Sequence, residues 1–438
     1  MISPRNLGKF FLSNNSDSNQ HNLFRLKSCK FETINQNGND LWPYSRSGHR
    51  IVSDENYVYL FGGYNPQVSS RASLPDRAQW ERTNPLFKEL WRYSKLTRSW
   101  QYLETTGDIP SELASHCAVM IDANQLLVYG GSGIPFGYVN SNKMYICNLE
   151  NLSWSRVSYT NELSNPNNIT ENSENNDVPE AGYGQALVYD STNELIYVCG
   201  GTTGFHYSLN IHEFNLKTKR WQLLSSTHEN IEPRYRHEMV LYRNKLFIFA
   251  GGTFNDSFLL EKIPVFDLRS RKWEIKITEP WDSEYGPKIY PSPRYSHGCV
   301  QRNNLVYILG GANQNQMFKD TWSLNLDTLK WFNHIGISLP TPCYFHSTTI
   351  HHNGFELYVF GGINCMQPQK RSNTLYRCWL GVPTLQRMAM EAIKKYLEYS
   401  KGSNSRITLK NICNYLNSMG INHEAIKSRI EKYSIKLV

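Results

Sequence analysis

Apolar residues in this chain come in short runs, cut by clusters of Asn, Gly and Asp. The stretch from Arg294 to Trp331 shows the pattern. An Arg-x-x-His segment leads into an apolar run, Leu305 to Leu309, stopped by Gly310 and Gly311. A third segment follows around Trp322 and Leu324, and a fourth begins at Trp331. Runs of four to eight β-favouring residues between turn-forming clusters predict four short strands. Paired glycines ending an apolar strand predict backbone at positive φ, or one approached too closely for a Cβ.

The pattern recurs. Double glycines close apolar runs at Gly62-Gly63, Gly130-Gly131, Gly200-Gly201, Gly251-Gly252, Gly310-Gly311 and Gly361-Gly362. Trp100, Trp154, Trp221, Trp273 and Trp331 follow the first five pairs, each seven residues after Tyr93, Cys147, Phe214, Phe266 or Leu324. His49, His116, Gln185, His237, His297 and His346 stand 13 to 15 residues before the glycines. A period of about 50 residues with this content resembles the kelch repeat, which implies an all-β six-bladed propeller.

The sixth repeat is incomplete. Its third strand falls at Thr374 to Trp379, and the Trp slot seven beyond Cys378 holds Leu385, where the sequence has turned helical. The spare strand-like segment is Asn22 to Thr33. The expectation is that this N-terminal strand completes the last blade and removes an open edge. The propeller is thus assigned to residues 22–380, after a polar, disordered stretch 1–21. Tyr64 to Pro85 lengthens the first blade, and the Asn- and Glu-rich segment 159–179 reads as a mobile surface loop.

Beyond Leu380 the period changes. Leu385, Met388, Ala389, Ala392, Ile393, Tyr396 and Leu397 form one helical stripe, with Thr384 placed to cap it. A second stripe uses Leu409, Ile412, Cys413 and Leu416. Residues 381–438 are therefore expected to form a small α-helical module whose apolar faces need a cover, either a partner or the propeller itself.

Composition narrows the function. The net charge is +8 with Lys and Arg scattered, which gives no nucleic-acid face. No run is long enough for a membrane-spanning helix. Nine single cysteines without C-x-x-C spacing and the lack of a leader pattern point to a reducing compartment, cytoplasmic and/or nuclear. Nucleophile-elbow, zinc-protease and phosphate-loop motifs are missing, and the repeated histidines read as packing. The cluster Cys343-Tyr344-Phe345-His346 is the nearest thing to the copper set of some six-bladed oxidases. The chain is expected to be non-catalytic, with no metal and no cofactor.

Inner-strand starts and the residues past each glycine pair should surround the axis at one end. They supply Ser47, Tyr183, Tyr235, Arg236, Tyr295, Ser296 and Tyr344, with Thr203 and Asn313 from the loops. An aromatic-walled cup with hydroxyls and one cation suits a short peptide, with Arg236 receiving a carboxylate. The alternative pairs Arg236 with Glu238 or Glu213. Arg46, Arg234 and Arg294, at the repeat's own Arg slot, read as structural.

Thr384-Leu385-x-x-x-Ala389-x-x-x-Ile393 resembles the elongin-binding BC box, and the Leu409, Ile412 and Leu416 helix resembles the adjoining cullin-2 box. Together with RSGHR, YLFGGYNP, FKELWRYS, GGSGIPFG, GGTTGFHYS and RYRHE, these resemble the kelch-repeat substrate receptors of cullin-2–elongin B/C ubiquitin ligases. That resemblance implies partners elongin C, elongin B and cullin-2. It also implies recognition of substrate C-termini ending in small residues such as Gly or Ala. The rival from another class is a kelch scaffold for a folded partner, cytoskeletal or a regulator of a stress kinase or phosphatase.

Overall fold

The computed structural model describes residues 30–36, 41–67, 86–160, 177–226, 230–282, 286–351 and 354–381. Six four-stranded antiparallel sheets follow one another around an axis, and the second carries an extra short strand at its outer edge. In each blade the inner strand lies on the axis. These strands are Arg50–Ser53, Cys117–Asp122, Ala186–Asp190, Glu238–Tyr242, Gly298–Arg302 and Ser347–Ile350. The third and fourth strands meet as the repeat spacing requires. Tyr93 faces Trp100, Cys147 faces Trp154, Phe214 faces Trp221, Phe266 faces Trp273 and Leu324 faces Trp331 in register.

The ring closes with a strand from the N-terminal side. Glu32–Ile34 pairs antiparallel with Leu375–Trp379, placing Glu32 opposite Arg377 and Ile34 opposite Leu375. Only the last part of the expected 22–33 strand is within the described residues. Phe31, one step beyond Glu32, packs with Cys378 and Tyr376, where the other blades use Trp. Arg377 locks the seam, with its guanidinium 2.7 Å from Glu32 and 3.0 Å from Glu356.

The histidines and glycines form the blade-to-blade joint. A Cβ on Gly62 would stand 2.5 Å from His116 Cε1 of the next blade, and one on Gly361 would stand 2.6 Å from His49 Cε1. The first glycine is therefore the seat of the next blade's imidazole. Blade four departs from the expected pairing. There Ala250, at φ 52°, takes the first-glycine slot and Gly251 the second. The N–H of Gly251 donates to Arg294 O, as Gly63 donates to Leu113 O and Gly311 to Cys343 O. Gly252 instead aligns with Tyr64 and Ala312, pairing with Tyr235 as they pair with Ser47 and Tyr295. The Gly-Gly doublet misled because the repeat there is Ala-Gly followed by an incidental glycine.

The described part of the 381–438 segment is Gly381 alone, so the helical module with Thr384, Leu385, Ala389, Ile393, Leu409, Ile412 and Leu416 lies outside the described residues. Residues 1–29, most of the Tyr64–Pro85 insertion and residues 161–176 lie outside them too.

Candidate functional site

The residue before each repeat histidine, or before Gln185 in blade three, adopts left-handed backbone: Gly48, Ser115, Gly184, Arg236, Ser296 and Phe345, all with φ between 50° and 67°. That turn brings the six N–H groups around the axis. Ser115 N–H donates to Gly48 O at 2.8 Å, Gly184 to Ser115 at 3.0 Å and Arg236 to Gly184 at 2.9 Å. Ser296 donates to Arg236 at 3.0 Å, Phe345 to Ser296 at 3.0 Å, and Gly48 to Phe345 at 3.1 Å. The result is a closed collar of six backbone hydrogen bonds. At about 1 kcal/mol each, they offset a similar cost of holding four side-chain-bearing residues at positive φ. Because every collar N–H and C=O is used, chemistry at this level falls to side chains.

Arg236 is the charged one. Its guanidinium carbon sits 4.3 Å from the Tyr235 ring centroid and 4.5 Å from Phe345, with Tyr295 at 5.7 Å. Both expected acid partners are committed elsewhere. Glu238 pairs with Arg50 at 3.0 Å, and Glu213 is hydrogen-bonded to Tyr197. Arg236 is thus half-buried in an aromatic cradle, without a carboxylate partner among the described residues. Beside it in the collar, Ser296 Oγ has no hydrogen-bond partner among the described residues.

The tyrosines complete the wall. Tyr183 meets Tyr235 edge-on at 6.3 Å, Tyr207 packs on Tyr235 at 5.2 Å, and Tyr344 lies against Phe345. Burial pushes the Tyr235 hydroxyl up to about 12 and raises Tyr183 and Tyr344 despite the nearby Arg236. All three remain protonated hydrogen-bond donors at neutral pH.

A second cation escaped the positional rule. The hairpin Ile363–Met366 with Gln369–Arg371, an addition to blade six, carries Arg371 back over the cup. Its Nε donates to Ser47 Oγ at 2.9 Å and its guanidinium lies 5.0 Å from the Tyr64 ring. Burial lowers its pKa. It stands nine residues past Gly362, beyond the positions the repeat marks; the alternation of Gln369 and Arg371 after a Pro turn was its only signal.

Other expected site residues turn inward on their own loops. Thr203 Oγ1 accepts from the N–H groups of Phe205 and His206, and Asn313 Oδ1 from those of Asn315 and Gln316. They shape the rim. The Arg-slot residues are structural as expected. Arg46, Arg234 and Arg294 donate to the carbonyls of Gly62, Ala250 and Gly310, and each lies over a Phe ring. Cys343 and His346 are both buried, and no three His, Cys, Asp or Glu side chains gather for a metal among the described residues.

On the other side of the collar the inner strands enclose about 420 Å³, lined by Arg50, Glu238, Cys117, Cys299, Gln301 and Thr348. Its wall pairs Arg50 with Glu238 and adds the carboxylate of Asp190, so it has no spare positive charge for an anion. Arg236 and Arg371, on the loop side, have no carboxylate partner among the described residues.

Comparison with known proteins agrees with this architecture. Residues 163–362 and 278–394 match the model described as "KLHDC2/KLHL20/DRC7 Kelch-repeats domain", and residues 8–212 match "Attractin/LZTR1 beta-propeller". The class is a kelch β-propeller. Kelch domain-containing protein 10 of Xenopus tropicalis is 36% identical over 82% of this chain and 80% of its own length. The human protein of that name is 37% identical over 80% of this chain and 74% of its own, and the Drosophila melanogaster homolog is 34% identical over 85% and 60%. The chain belongs to the kelch domain-containing protein 10 family.

Proposed function

We propose that this chain is a non-catalytic substrate receptor that holds the extreme C-terminus of a protein in the collar cup. The observation that carries the reading is Arg236, a guanidinium cradled by Tyr235 and Phe345 with no acid partner among the described residues, next in the collar to Ser296, whose buried hydroxyl also lacks a partner among them. A half-buried unpaired cation calls for an anion, and a terminal carboxylate supplies one with an extended peptide attached. Tyr183, Tyr235, Tyr295 and Tyr344 offer apolar walls, and Arg371 with Ser47 a second polar edge.

The rest of the proposal is ligase attachment. The last strand starts beside Gly361 at the cup and ends at Trp379, opposite Glu356, at the far end of the propeller. The chain therefore departs toward the BC-box-like residues Thr384, Leu385, Ala389 and Ile393 from the end away from the cup. Substrate and elongin B/C–cullin-2 would occupy opposite ends, in the cytoplasm or nucleus, leading to ubiquitination and degradation.

Fluorescence anisotropy with Gly- and Ala-ended peptides tests the cup. A charge-assisted hydrogen bond contributes about 1.5–3 kcal/mol, so Arg236→Ala should weaken the free acid roughly 10- to 150-fold. Equal binding of the amidated peptide would sink the carboxylate reading and favour the folded-partner scaffold. Co-expression with elongins B and C tests the tail: a stoichiometric complex lost on Leu385→Asp with Ala389→Asp is expected. A complex that survives those changes would end the BC-box assignment.

A further inference from the structure

Among the described residues, the rim above the cup is lopsided. On the side of blades two to four it carries exposed aromatics: Tyr138 and Phe205 are each 75% exposed and Phe254 is 83% exposed. The tips of blades five and six are polar there, with Gln314, Asn315, Gln316, Gln367, Gln369 and Lys370 all exposed. Exposed aromatics grouped on one surface mark a contact site more often than chance exposure.

The loops that carry these rings are tied to their neighbours. Asn140 of the blade-two loop donates to Thr203 O of blade three at 2.7 Å, and Tyr138 meets Phe205 edge-on at 5.4 Å. Gly204 lies so close to Gly137 that a Cβ there would fall 2.6 Å from its Cα. The N–H of Phe254 donates to Tyr207 Oη at 2.9 Å, and that same Tyr207 ring supports Tyr235 beneath. The aromatic rim and the Arg236 cradle are therefore one continuous, braced surface. Pre-organised aromatics of this kind bind with little ordering cost.

We infer that the substrate chain leaves the cup over blades two to four, with apolar side chains upstream of its terminus packing on Tyr138, Phe205 and Phe254. The inference rests on the carboxylate reading of the cup. Phe205 is three residues past Thr202, which pairs with Tyr183 in the layer at the collar. The segment from Thr202 to Tyr207 is a turn, so Phe205 stands less than about 10 Å, the reach of three extended residues, above that layer, and a peptide anchored at the collar meets the rim from about its third residue from the end.

The test is selection from a displayed library of random eight-residue C-termini with free carboxylates, using the full-length protein and a Phe205→Ser, Phe254→Ser variant. Both side chains are exposed, so the variant keeps its fold, checked by its melting curve. The native protein should enrich Phe, Leu, Trp or Tyr at positions three to five from the end. The variant should lose that enrichment and bind the selected peptides about tenfold more weakly, with the terminal-residue preference kept. Enrichment at the terminal residue alone would overturn the rim inference while leaving the cup reading intact. Failure of the native protein to enrich any C-terminus would overturn both. Native self-association abolished by the variant, with peptide affinity unchanged, would assign the rim to a second copy of this chain instead.

Discussion

Arg50 of blade one and Glu238 of blade four meet across the propeller axis at 3.0 Å. Each follows its repeat histidine, so the pair lies two residues past the collar and bars the axis behind Arg236. Arg50 is also tied to the wall, its Nε donating to His116 O at 3.1 Å. The collar and this bar together make the loop-side cup blind. A ligand's charged end meets side chains there and cannot run on down the axis.

The pair is a bolt between opposite blades, and removing half of it strands the other charge. Side-chain exposures of 26% and 20% place it short of full burial. Arg50→Ala and Glu238→Ala should each cost about 1–3 kcal/mol, less than the loss for a wholly buried pair. The double variant should cost clearly less than their sum. A urea-denaturation double-mutant cycle measures this, and simple additivity would mean the two charges contribute nothing to each other.

Arg371 gives a prediction for the cup's polar edge. It is farther from the collar than Arg236 and already donates to Ser47. Arg371→Ala should weaken a Gly- or Ala-ended free acid about three- to tenfold, less than Arg236→Ala does. The loss should shrink as salt is raised, because the partly exposed charge is screened. Titrations at low and high salt decide it: no change in affinity at low salt would remove Arg371 from the site.

Much of this fold is written in the repeat. His49 and its equivalents, the glycine seats and the Trp partners recur because every blade joint solves the same packing problem. Even the closing strand follows from counting, since Cys378 had no Trp seven residues on. Blade four broke the count at Ala250, because a Gly-Gly doublet can arise one residue late. The cup was legible only in part. Arg236, Tyr235 and Ser296 sit at repeat positions and were found there. Arg371 comes from a hairpin outside the repeat, and the collar's closed hydrogen bonds join residues 49 to 69 apart, and 297 apart where Gly48 meets Phe345, invisible to any local pattern. That Thr203 and Asn313 bond their own loops depends on turn geometry, which residue type alone does not reveal.

The first-glycine slot offers a sharp pair of substitutions. A methyl on Gly62 would lie 2.5 Å from His116 Cε1 and 2.9 Å from Leu113 O, and its backbone is at φ 70°. Gly62→Ala should therefore cost more than about 2 kcal/mol through clash and left-handed strain together. Ala250 already lives with φ 52° in the same slot. Ala250→Gly relieves that strain but loses a buried methyl and gains unfolded-state freedom, so it should fall within about 1 kcal/mol of neutral. If Gly62→Ala proved as mild in urea denaturation, the glycine would not be the imidazole's seat.

The same imidazoles should make the propeller acid-labile. Burial, reinforced by neighbouring arginines, lowers His116 and His237 to about 3, and burial lowers His346 to about 4; His49 and His297 are lowered as well. In the unfolded chain each titrates near 6.5. Between those limits the unfolded state binds protons that the folded state refuses, so stability falls as pH drops below about 6.5 and is fully present above it. Burial also lowers His334, outside the repeat positions, to about 4, and six histidines at about 1.4 kcal/mol per pH unit each give about 8. Against a typical stability of about 5–15 kcal/mol, that predicts cooperative unfolding one to two pH units below 6.5. Near-UV circular dichroism across pH 7 to 4 would record it. Blade three already uses Gln185 at this position, so His237→Gln, or His346→Gln if that variant folds poorly, should remove about one sixth of the slope. A native protein still folded at pH 4, or an unchanged slope in a folded Gln variant, would show that these rings do accept protons in place.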